Sequence, residues 1–362
     1  MNFVLADISY NAQLCDFVRN QPIKGHICMS YERDPDFFAG LKIQGVDNQV
    51  IAGVENNKLL CFGCRSVRPL YINGKKQRFG YLSSLRSSDE ANQKLALYRG
   101  YKMLKELHQN DQVNGYITTI IDKNSKALQI LTSARANLPF YRRLSTCHTY
   151  AIPAKKKIKS KTVKHAIKVR RAKTGEENLI VSLLNKFGKE YHFFPVFSED
   201  DFGTNKLNGL HVTDFLIAEK GKVFLGIAAM WNQNHFKQNR LIKYPAFLKL
   251  SLPLINSLLN FSGYYKLPRE GELLTHTYIC FKAVENNNPE IHYQLIRKAL
   301  ELNTNSSFFI IGFHKKDAAR RIMHRFITID YRSRMFWVDW DESNTYRNKL
   351  DNRTINFEPA IL

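Results

Sequence analysis

The chain has 362 residues, 44% of them hydrophobic and 24% charged, which is the composition of an ordinary globular protein. A chain of this length is expected to form about two domains. Lys and Arg outnumber Asp and Glu by 54 to 32, so the formal net charge is +22. The positive electrostatic field of such a chain attracts polyanions, including nucleic acids and phosphorylated cofactors. Because the basic residues are spread along the whole chain, the charge permits a nucleic-acid partner but identifies no binding face.

No segment has the pattern of a membrane span or of a signal peptide. The longest apolar stretch, residues 246–261, is interrupted by Lys249, Pro253 and Asn256. A span needs about 20 nearly continuous apolar residues. The first residues, MNFVLADISYNAQ, lack a basic segment followed by an apolar run. We therefore expect a cytoplasmic protein without a membrane partner.

The spacings of cysteine and histidine predict no metal site. Cys61 and Cys64 have the spacing of half a zinc or redox site, but no second pair follows, and both lie in a strand-like run. Core cysteines, kept reduced in the cytoplasm, are the favoured interpretation. Glu190, His192 and His211 do not form the His-Glu-x-x-His pattern of zinc enzymes.

Strand and helix patterns alternate in the first half of the chain, which indicates an α/β fold around a partly parallel sheet. The helical pattern over residues 94–110 has apolar side chains at helical spacing, and its Gly100 is expected at a close contact. The predicted strands are residues 25–33, 49–55, 58–71, 78–86, 115–121 and 148–152, and the predicted helices are residues 94–110 and 125–132.

A basic segment, residues 153–165 (PAKKKIKSKTVKH), separates the two halves and is typical of a solvated linker. After it a similar order of elements recurs, without a residue-level repeat. Strands are predicted over residues 166–172, 213–220, 222–231, 273–283, 306–313 and 327–340 (the last as one or two strands), and helices over residues 176–191, 247–261, 289–302 and 317–324. We expect domains over residues 1–152 and 166–345, followed by a tail over residues 346–362.

The stretch from Tyr81 to Tyr141 contains the most informative pattern. A strand, YLSSLR, leads through the polar turn SSDEANQK into a helix. The N-terminus of a helix offers unpaired backbone N–H groups, and its dipole is positive there. Such a junction can therefore bind a pyrophosphate.

This stretch resembles the cofactor-binding core of the GNAT (N-acetyltransferase) superfamily. The similar segments are FGYLSSLR (79–86), LALYRGYKMLKELH (95–108), GYITTIIDKNSKALQIL (115–131) and LPFYRRL (138–144). The resemblance covers about residues 25–152, whereas the second half resembles the fold in element order alone. It implies two tandem GNAT-like domains, with an acyl-CoA site in the first and an open splay between strands 81–86 and 115–121.

The activity implied by the resemblance is transfer of an acyl group from acyl-CoA, with acetyl-CoA the expected donor, to an amine of a small molecule or peptide. Backbone groups at Leu85 and Arg86 would hold the pantetheine arm and polarise the thioester carbonyl. Tyr141 would protonate the departing thiolate; the alternative is an aromatic core residue. The other cofactor-binding residues that the resemblance implies are Ser87, Ser88, Gln93, Lys94, Leu95 and Asn124.

Aminolysis also needs a group that removes a proton from the amine, because a lysine-like amine has a pKa of about 10.4 and is mostly protonated at neutral pH. Glu32, in the segment SYERDPDFF, is the candidate for this general base. The alternative for Glu32 is a salt bridge with Arg33 or a solvated loop position.

Two other functions stay open. The loop SSDEANQK contains no glycine and carries Asp89 and Glu90, whereas the glycines of the family's loop let the backbone approach the phosphates closely. A protein that binds acyl-CoA or another small molecule without transferring an acyl group is therefore the second hypothesis. The third is a nucleic-acid-binding protein that uses its basic surface.

Overall fold

The structure is a computed structural model, and it describes residues 1–23, 27–91, 93–111, 113–133, 138–156, 166–303, 305–343 and 345–362. Most of the predicted linker, residues 157–165, lies outside these described residues. The strands of the first half are β1 (Asn2–Ala6), β2 (Cys28–Glu32), β3 (Asp47–Glu55), β4 (Lys58–Ile72), β5 (Lys75–Ser87), β6 (Tyr116–Ile121) and β7 (Phe140–Pro153). Its helices are α1 (Asn11–Arg19), α2 (Phe37–Lys42), α3 (Gln93–Asn110) and α4 (Ser125–Leu131).

The second half begins after the predicted linker. Its strands are β8 (Lys168–Arg171), β9 (Tyr191–His192), β10 (Phe194–Pro195), β11 (Phe215–Lys220), β12 (Val223–Trp231), β13 (Gln238–Lys243), β14 (His276–Val284), β15 (Phe308–His314), β16 (Ile329–Asp339) and β17 (Thr354–Ile355). Its α-helices are α5 (Glu177–Gly188), α6 (Ala246–Phe261), α7 (Pro289–Glu301) and α8 (Thr345–Asn348).

A continuous mixed sheet runs through both halves of the described chain, which confirms the predicted mixed α/β class. Its strand order is β1-β3-β4-β5-β6-β16-β7-β15-β14-β12-β11-β8, and β10 pairs with the end of β4. The pairs β5–β6 and β14–β15 are parallel, and their neighbours in the sheet are antiparallel. Each half therefore has one parallel pair near its centre.

The two halves exchange strands at the middle of this sheet. Strand β16, from the second half, lies between β6 and β7 of the first half and pairs with both. Strand β7, from the first half, pairs with β15 of the second half. Domain boundaries at residues 152 and 166 stay a prediction, but neither half completes its own sheet without the other.

The apolar side chains whose helical spacing predicted α3 are the ones that pack it against the sheet. On α3, Tyr101 and Leu104 are buried against Leu82 of β5. Gly100 lies at the expected close contact, since a Cβ built there would lie 3.3 Å from Cε1 of Phe3 on β1. Burying a Leu or Phe side chain contributes about 1.5–3 kcal/mol, so these faces hold the helices on the sheet.

Several elements differ from the prediction. Strands β1 and β13 and helices α1 and α2 were not predicted, because short elements carry too few residues to establish a period. Strand β7 is much longer than the predicted residues 148–152, because it is paired with β15 on one side and β16 on the other. The helix predicted over 317–324 is a 3₁₀ helix, Ala318–Arg325.

The segment predicted as a C-terminal tail, residues 346–362, packs into the core. Its strand β17 pairs in parallel with β9. Phe357, Ala360 and Ile361 are buried. The Nζ of Lys237 on the β12–β13 connection donates to the carbonyl oxygen of Ala360 at 3.0 Å. This segment therefore belongs to the folded body.

Cys61 and Cys64 lie on β4 and are buried, as the core interpretation predicts. Burial raises the pKa of Cys64 to about 12, so its thiol stays protonated at neutral pH. Within the described ranges, no cluster of three or more His, Cys, Asp or Glu side chains could hold a metal ion. Among the described helices, none is long and apolar enough to cross a membrane.

Gly80 on β5 is a position where any side chain should destabilise the fold. A Cβ built there would lie 2.0 Å from Cδ1 of Tyr116, whose ring covers the strand. We expect Gly80→Ala to lower the free energy of unfolding by about 2–3 kcal/mol, because the buried ring has to shift. Urea unfolding of this variant beside Gly63→Ala, where the nearest atom is a Leu85 methyl at 3.5 Å, checks it. Equal losses in the two variants would contradict the packing argument.

Candidate active site

Strands β5 and β6 pair over a short distance and then separate. Gly80 and Tyr81 pair with Tyr116 and Ile117. Beyond that point the backbone pairing of the two strands ends. The Thr118 hydroxyl on β6 instead donates to the carbonyl oxygen of Leu82 on β5 at 2.7 Å. The splay expected between these strands is therefore present, and it opens toward their carboxyl ends.

A β-bulge lies on β5 beside this splay. Ser83 pairs with Cys64 and Arg86 pairs with Phe62, so Ser84 and Leu85 both lie opposite one residue of β4. Ser84 has a φ of 56°, in the left-handed region that non-glycine residues rarely adopt. A bulge redirects backbone groups away from the ladder, which is how such strands are adapted at functional sites.

The second half repeats this geometry on β14. Cys280 pairs with Ala229 and Ala283 pairs with Ile227, so Phe281 and Lys282 form the bulge there. Phe281 has a φ of 51°. Strand β14 likewise pairs in parallel with β15 only from His276 to Tyr278. The sequences at the two bulges, Ser-Ser-Leu-Arg and Cys-Phe-Lys-Ala, have no residue in common, which explains why no repeat is visible in the sequence.

The two bulges differ in what they contact. The Phe281 amide donates to Oε2 of Glu358 at 2.6 Å, and Lys282 Nζ lies 3.8 Å from the same carboxylate. Glu358 belongs to the C-terminal segment and is 2% exposed. In the described part of the first half, no side chain accepts a hydrogen bond from the Ser84 amide. Glu358 thus binds the amide of the second bulge, whereas no described side chain binds the amide of the first.

No protein-family model matches this sequence, and no curated protein matches it. Solved structures do match it. Saccharomyces cerevisiae N-myristoyltransferase with bound myristoyl-CoA aligns over 93% of this chain and 82% of its own, with a TM-score of 0.57 and 10% identity. A GCN5-related N-acetyltransferase from Anabaena variabilis aligns over 93% of this chain and 72% of its own, with a TM-score of 0.50 and 10% identity.

A probable N-acyltransferase from Enterococcus faecalis aligns over 95% of this chain and 74% of its own, with a TM-score of 0.50 and 8% identity. The chain has the tandem GNAT-like fold. Identities of 8–10% establish the fold alone, so activity has to be argued from the site.

In this GNAT-like fold the predicted pyrophosphate loop follows β5. The carbonyl oxygen of Ser87 accepts a hydrogen bond from Gln21 Nε2 at 3.2 Å, and the Ser88 amide donates to the Leu60 carbonyl oxygen at 2.8 Å. The Ser88 hydroxyl is buried without a hydrogen-bond partner among the described residues. A buried hydroxyl normally has a partner, which for Ser88 is not among the described residues.

The loop leads into α3, whose first residue is Gln93. The side chains of Gln93 and Lys94 lie outside the described part of the structure, and Leu95 is 39% exposed. Of the two acidic residues in the loop, Glu90 is paired with Lys58, whose Nζ donates to both of its carboxylate oxygens at 2.7 Å.

Arg86 and Arg33 add positive charge beside the bulge. The Arg86 guanidinium donates to the carbonyl oxygen of Gln21 at 2.7 Å. Burial lowers the pKa of Arg86, and the neighbouring charge of Arg33 lowers it further. Arg33 donates to the carbonyl oxygen of Glu32 at 2.9 Å and forms no salt bridge with the described residues. Both side chains are partly exposed, so this pair carries positive charge that attracts anions.

Tyrosines from both halves surround Arg33. Burial lowers the pKa of Arg33, and the nearest groups that offset this effect include Tyr278 and Tyr81. Burial raises the pKa of Tyr81 to about 12. Tyr81 and Tyr278 occupy equivalent positions, the last paired residues of β5 and β14. Tyrosine hydroxyls from the two halves, which stay protonated at neutral pH, therefore lie near the Arg33 guanidinium.

Glu32 is not paired with Arg33, and this corrects the predicted salt bridge. Its carboxylate forms a bidentate pair with Arg240 on β13, with Arg240 Nε to Oε1 at 2.7 Å and Nη2 to Oε2 at 3.0 Å. The pairing of β2 with β13 brings these side chains together, which no local pattern could indicate. Both carboxylate oxygens are thus engaged by Arg240, and the Glu32 side chain is 1% exposed.

Tyr141 lies at the start of β7 and packs edge-on against Tyr101 of α3 and Phe336 of β16. Its hydroxyl is hydrogen-bonded to the Tyr101 hydroxyl. Burial raises the pKa of Tyr141 well above its usual value, and Tyr101 raises it further. These contacts match the aromatic-core alternative, and they bring Tyr141 to α3 rather than to the bulge.

Asn124 is the N-cap of α4. Its Oδ1 accepts a hydrogen bond from the Ala127 amide at 3.1 Å. An N-cap of this kind stabilises a helix by about 1 kcal/mol. Asn124 follows β6, so it lies beyond the same edge of the sheet as Leu85 and Arg86, but its side-chain oxygen is already engaged by the helix.

Proposed function

We propose that the chain is an acyl-CoA-dependent N-acyltransferase that binds acyl-CoA at the open splay of its first half and transfers the acyl group to an amine. The observation that carries the proposal is the contrast between the two bulges. The amide of Phe281 is bonded to the carboxylate of Glu358, whereas the equivalent amide of Ser84 has no such partner among the described residues. An open bulge beside a splay matches a site for a thioester.

In this proposal the backbone at Leu85 and Arg86 contacts the pantetheine arm. The loop from Ser87 to Leu95 and the N-terminus of α3 hold the pyrophosphate, since helix N-termini favour anions. The buried Ser88 hydroxyl and the guanidinium of Arg86 add donors that the glycine-free loop lacks. The neighbouring structure with bound myristoyl-CoA supports an acyl-CoA as the ligand class.

The proposed reaction is direct aminolysis. The nitrogen of the acceptor amine forms a bond to the thioester carbonyl carbon, the carbon–sulfur bond breaks, and the CoA thiolate leaves and takes up a proton. Backbone amides at the Ser84–Leu85 bulge are the proposed donors to the developing oxyanion, a contribution worth about 3–4 kcal/mol per donor in other enzymes. We do not propose Glu32 as the base, because Arg240 engages both of its oxygens.

Calorimetry of the intact protein with acetyl-CoA and longer acyl-CoAs, including myristoyl-CoA, tests this proposal. We expect one molecule bound per chain. Arg86→Gln should bind about tenfold more weakly, because a hydrogen bond to a charged group contributes about 1.5–3 kcal/mol. Arg171→Gln, on strand β8 at the far edge of the sheet, is the matched control and should bind normally.

Absence of heat with every acyl-CoA would overturn the proposal. Binding of two molecules per chain would contradict the contrast between the bulges. Release of free thiol, measured against a panel of small amines and peptides, separates transfer from binding alone. Tight binding without thiol release from any acceptor would favour a non-catalytic acyl-CoA-binding protein.

A further inference from the structure

A small cavity lies where β5 and β6 stop pairing. Its walls come mainly from β4, β5, β6, β16 and the C-terminal segment, and every residue that lines it lies within the described ranges. Tyr81 and Ile117, the last paired residues of β5 and β6, are among them. The cavity has a volume of about 30 Å³, which is room for about two water-sized groups. It therefore adjoins the splay and can hold a small chemical group.

Most of the cavity wall is apolar. Phe79 on β5, Ile117 on β6 and Met335 on β16 are buried and line it. The polar side chains among the lining residues are those of Gln44, Arg68, Tyr81, Asn356 and Glu358. A ligand that matches such a wall has an apolar part as well as a polar group.

Arg68 lines the cavity with one edge of its guanidinium unpaired. The residue is 4% exposed, and its Nη1 donates to the carbonyl oxygen of Ile43 at 3.1 Å. Its Nε and Nη2 are buried and have no hydrogen-bond partner among the described residues. These two nitrogens form the edge of the guanidinium that binds a carboxylate through two parallel hydrogen bonds. Arg240 uses the same edge, Nε and Nη2, to bind Glu32 in this chain.

The carboxylates closest to Arg68 are engaged elsewhere. Burial lowers the pKa of Arg68 to about 10, and the charges of Asp201 and Glu358 offset part of this effect, so the side chain stays cationic at neutral pH. Asp201 is paired with Lys206 at 2.6 Å, and Glu358 lies 3.8 Å from Lys282. No carboxylate of the described chain forms a salt bridge with Arg68. Burial of a charge without a partner is costly, so Arg68 favours an anion in the cavity.

We propose that this cavity binds a carboxylate group on a short apolar stem, with the carboxylate on Nε and Nη2 of Arg68 and the stem against Phe79, Ile117 and Met335. Two sources supply this chemistry: a free short-chain carboxylic acid, or the carboxylate end of a dicarboxylic acyl group, such as succinyl, carried on CoA. The second source rests on the proposed function, which assigns the adjoining splay to acyl-CoA. A halide ion would leave the apolar wall without contacts, and water would leave the charge of Arg68 unbalanced.

Thermal unfolding of the intact protein in sodium butyrate tests the first source. At a butyrate concentration ten times its dissociation constant, we expect the unfolding midpoint to rise by about 2–4 °C. Chloride and the neutral analogue butyramide, at the same concentration, should leave the midpoint unchanged. Arg68→Met keeps a long side chain without the charge and should show no rise with butyrate. Arg171→Met, on β8 at the far edge of the sheet, is the matched control and should respond as the parent does.

Calorimetry with succinyl-CoA and butyryl-CoA, whose acyl groups have the same length, tests the second source. We expect succinyl-CoA to bind at least about tenfold more tightly, because charge-assisted hydrogen bonds to a guanidinium are strong. Arg68→Met should bind the two acyl-CoAs equally, whereas Arg171→Met should keep the preference of the parent.

A preference in either experiment that Arg68→Met abolishes supports the site and identifies its source. The inference is wrong if butyrate acts no differently from butyramide and succinyl-CoA binds no more tightly than butyryl-CoA. Both comparisons use the parent protein, so they hold even if Arg68→Met does not fold. It is also wrong if a folded Arg68→Met responds as the parent does. Failure of both acyl-CoAs to bind would contradict the proposed function, and the butyrate experiment would then decide this inference.

Discussion

The protein is expected to lose stability steeply as the pH falls from about 6.5 toward 4, because four buried histidines are neutral in the folded chain. Burial lowers the pKa of His192, His276 and His314 to about 4 and that of His292 to about 3, from an ordinary value of 6.5. In this window the unfolded chain binds protons that the folded chain does not. Stability therefore rises with pH between these limits and is lost as the pH falls.

His276 shows the physical cause. Its Nδ1 donates to the Leu274 carbonyl oxygen at 3.0 Å, so its Nε2 is an acceptor, and it lies 3.3 Å from the amide nitrogen of Asn239. Adding a proton to Nε2 would set two donors against each other at a site with 0% exposure. Each such histidine changes the free energy of unfolding by about 1.4 kcal/mol per pH unit within its window.

Urea unfolding at a series of pH values from 7.5 downward measures this slope, which we expect to reach about 5 kcal/mol per pH unit. His276→Gln should reduce the slope by about one quarter, whatever its own effect on stability at neutral pH. His211→Gln, at an exposed position, should leave the slope unchanged. A free energy of unfolding that stays constant between neutral pH and pH 5 would show that these imidazoles are not held neutral by the fold.

Replacing Glu358 with alanine should be among the most destabilising single changes in the chain. The carboxylate accepts from the Phe281 amide at 2.6 Å and is the ion-pair partner of Lys282, whose side chain is 5% exposed. Its removal leaves a buried ammonium without a counter-ion and a buried amide without an acceptor. Breaking a buried pair in this way costs about 3–5 kcal/mol.

Urea unfolding at neutral pH checks the Glu358→Ala prediction. Glu358→Gln is the informative comparison, because it keeps an acceptor for the Phe281 amide while removing the charge, and its loss should be smaller. Glu342→Ala, at an exposed position, should change the free energy of unfolding by less than about 0.5 kcal/mol. If Glu358→Ala also lowered the free energy of unfolding by less than about 0.5 kcal/mol, the stability of the second bulge would not depend on the carboxylate.

Local patterns predicted much of the first half. The period of α3 and the order strand, loop, helix and strand around residues 79–131 follow from side-chain spacing, which acts over a few residues. The resemblance carried by these residues led to the GNAT-like fold. Ser87 is the last residue of β5 and Ser88 the first residue after it, and their role in binding a pyrophosphate stays a prediction.

Contacts between distant parts of the chain could not be predicted in this way. Glu32 is hydrogen-bonded to Arg240, which lies 208 positions further along the chain. Tyr141 on β7 is hydrogen-bonded to Tyr101 on α3. A charged or aromatic residue has the same local pattern whether it binds substrate or packs in a core, so its role depends on which strand becomes its neighbour. Both candidate catalytic residues were selected by local pattern, and both have structural partners.

The sequence by itself determined most of the longer elements, the fold class and the strand–loop–helix junction, because hydrophobic period and turn propensity are properties of short segments. Only the tertiary structure decided that β7 and β16 are exchanged between the halves, and that Glu358 binds the Phe281 amide whereas no described side chain binds the Ser84 amide. These features depend on strand register and on a segment 77 residues further along the chain. That is why a sequence with no visible repeat folds into two halves with similar bulges and different contacts at them.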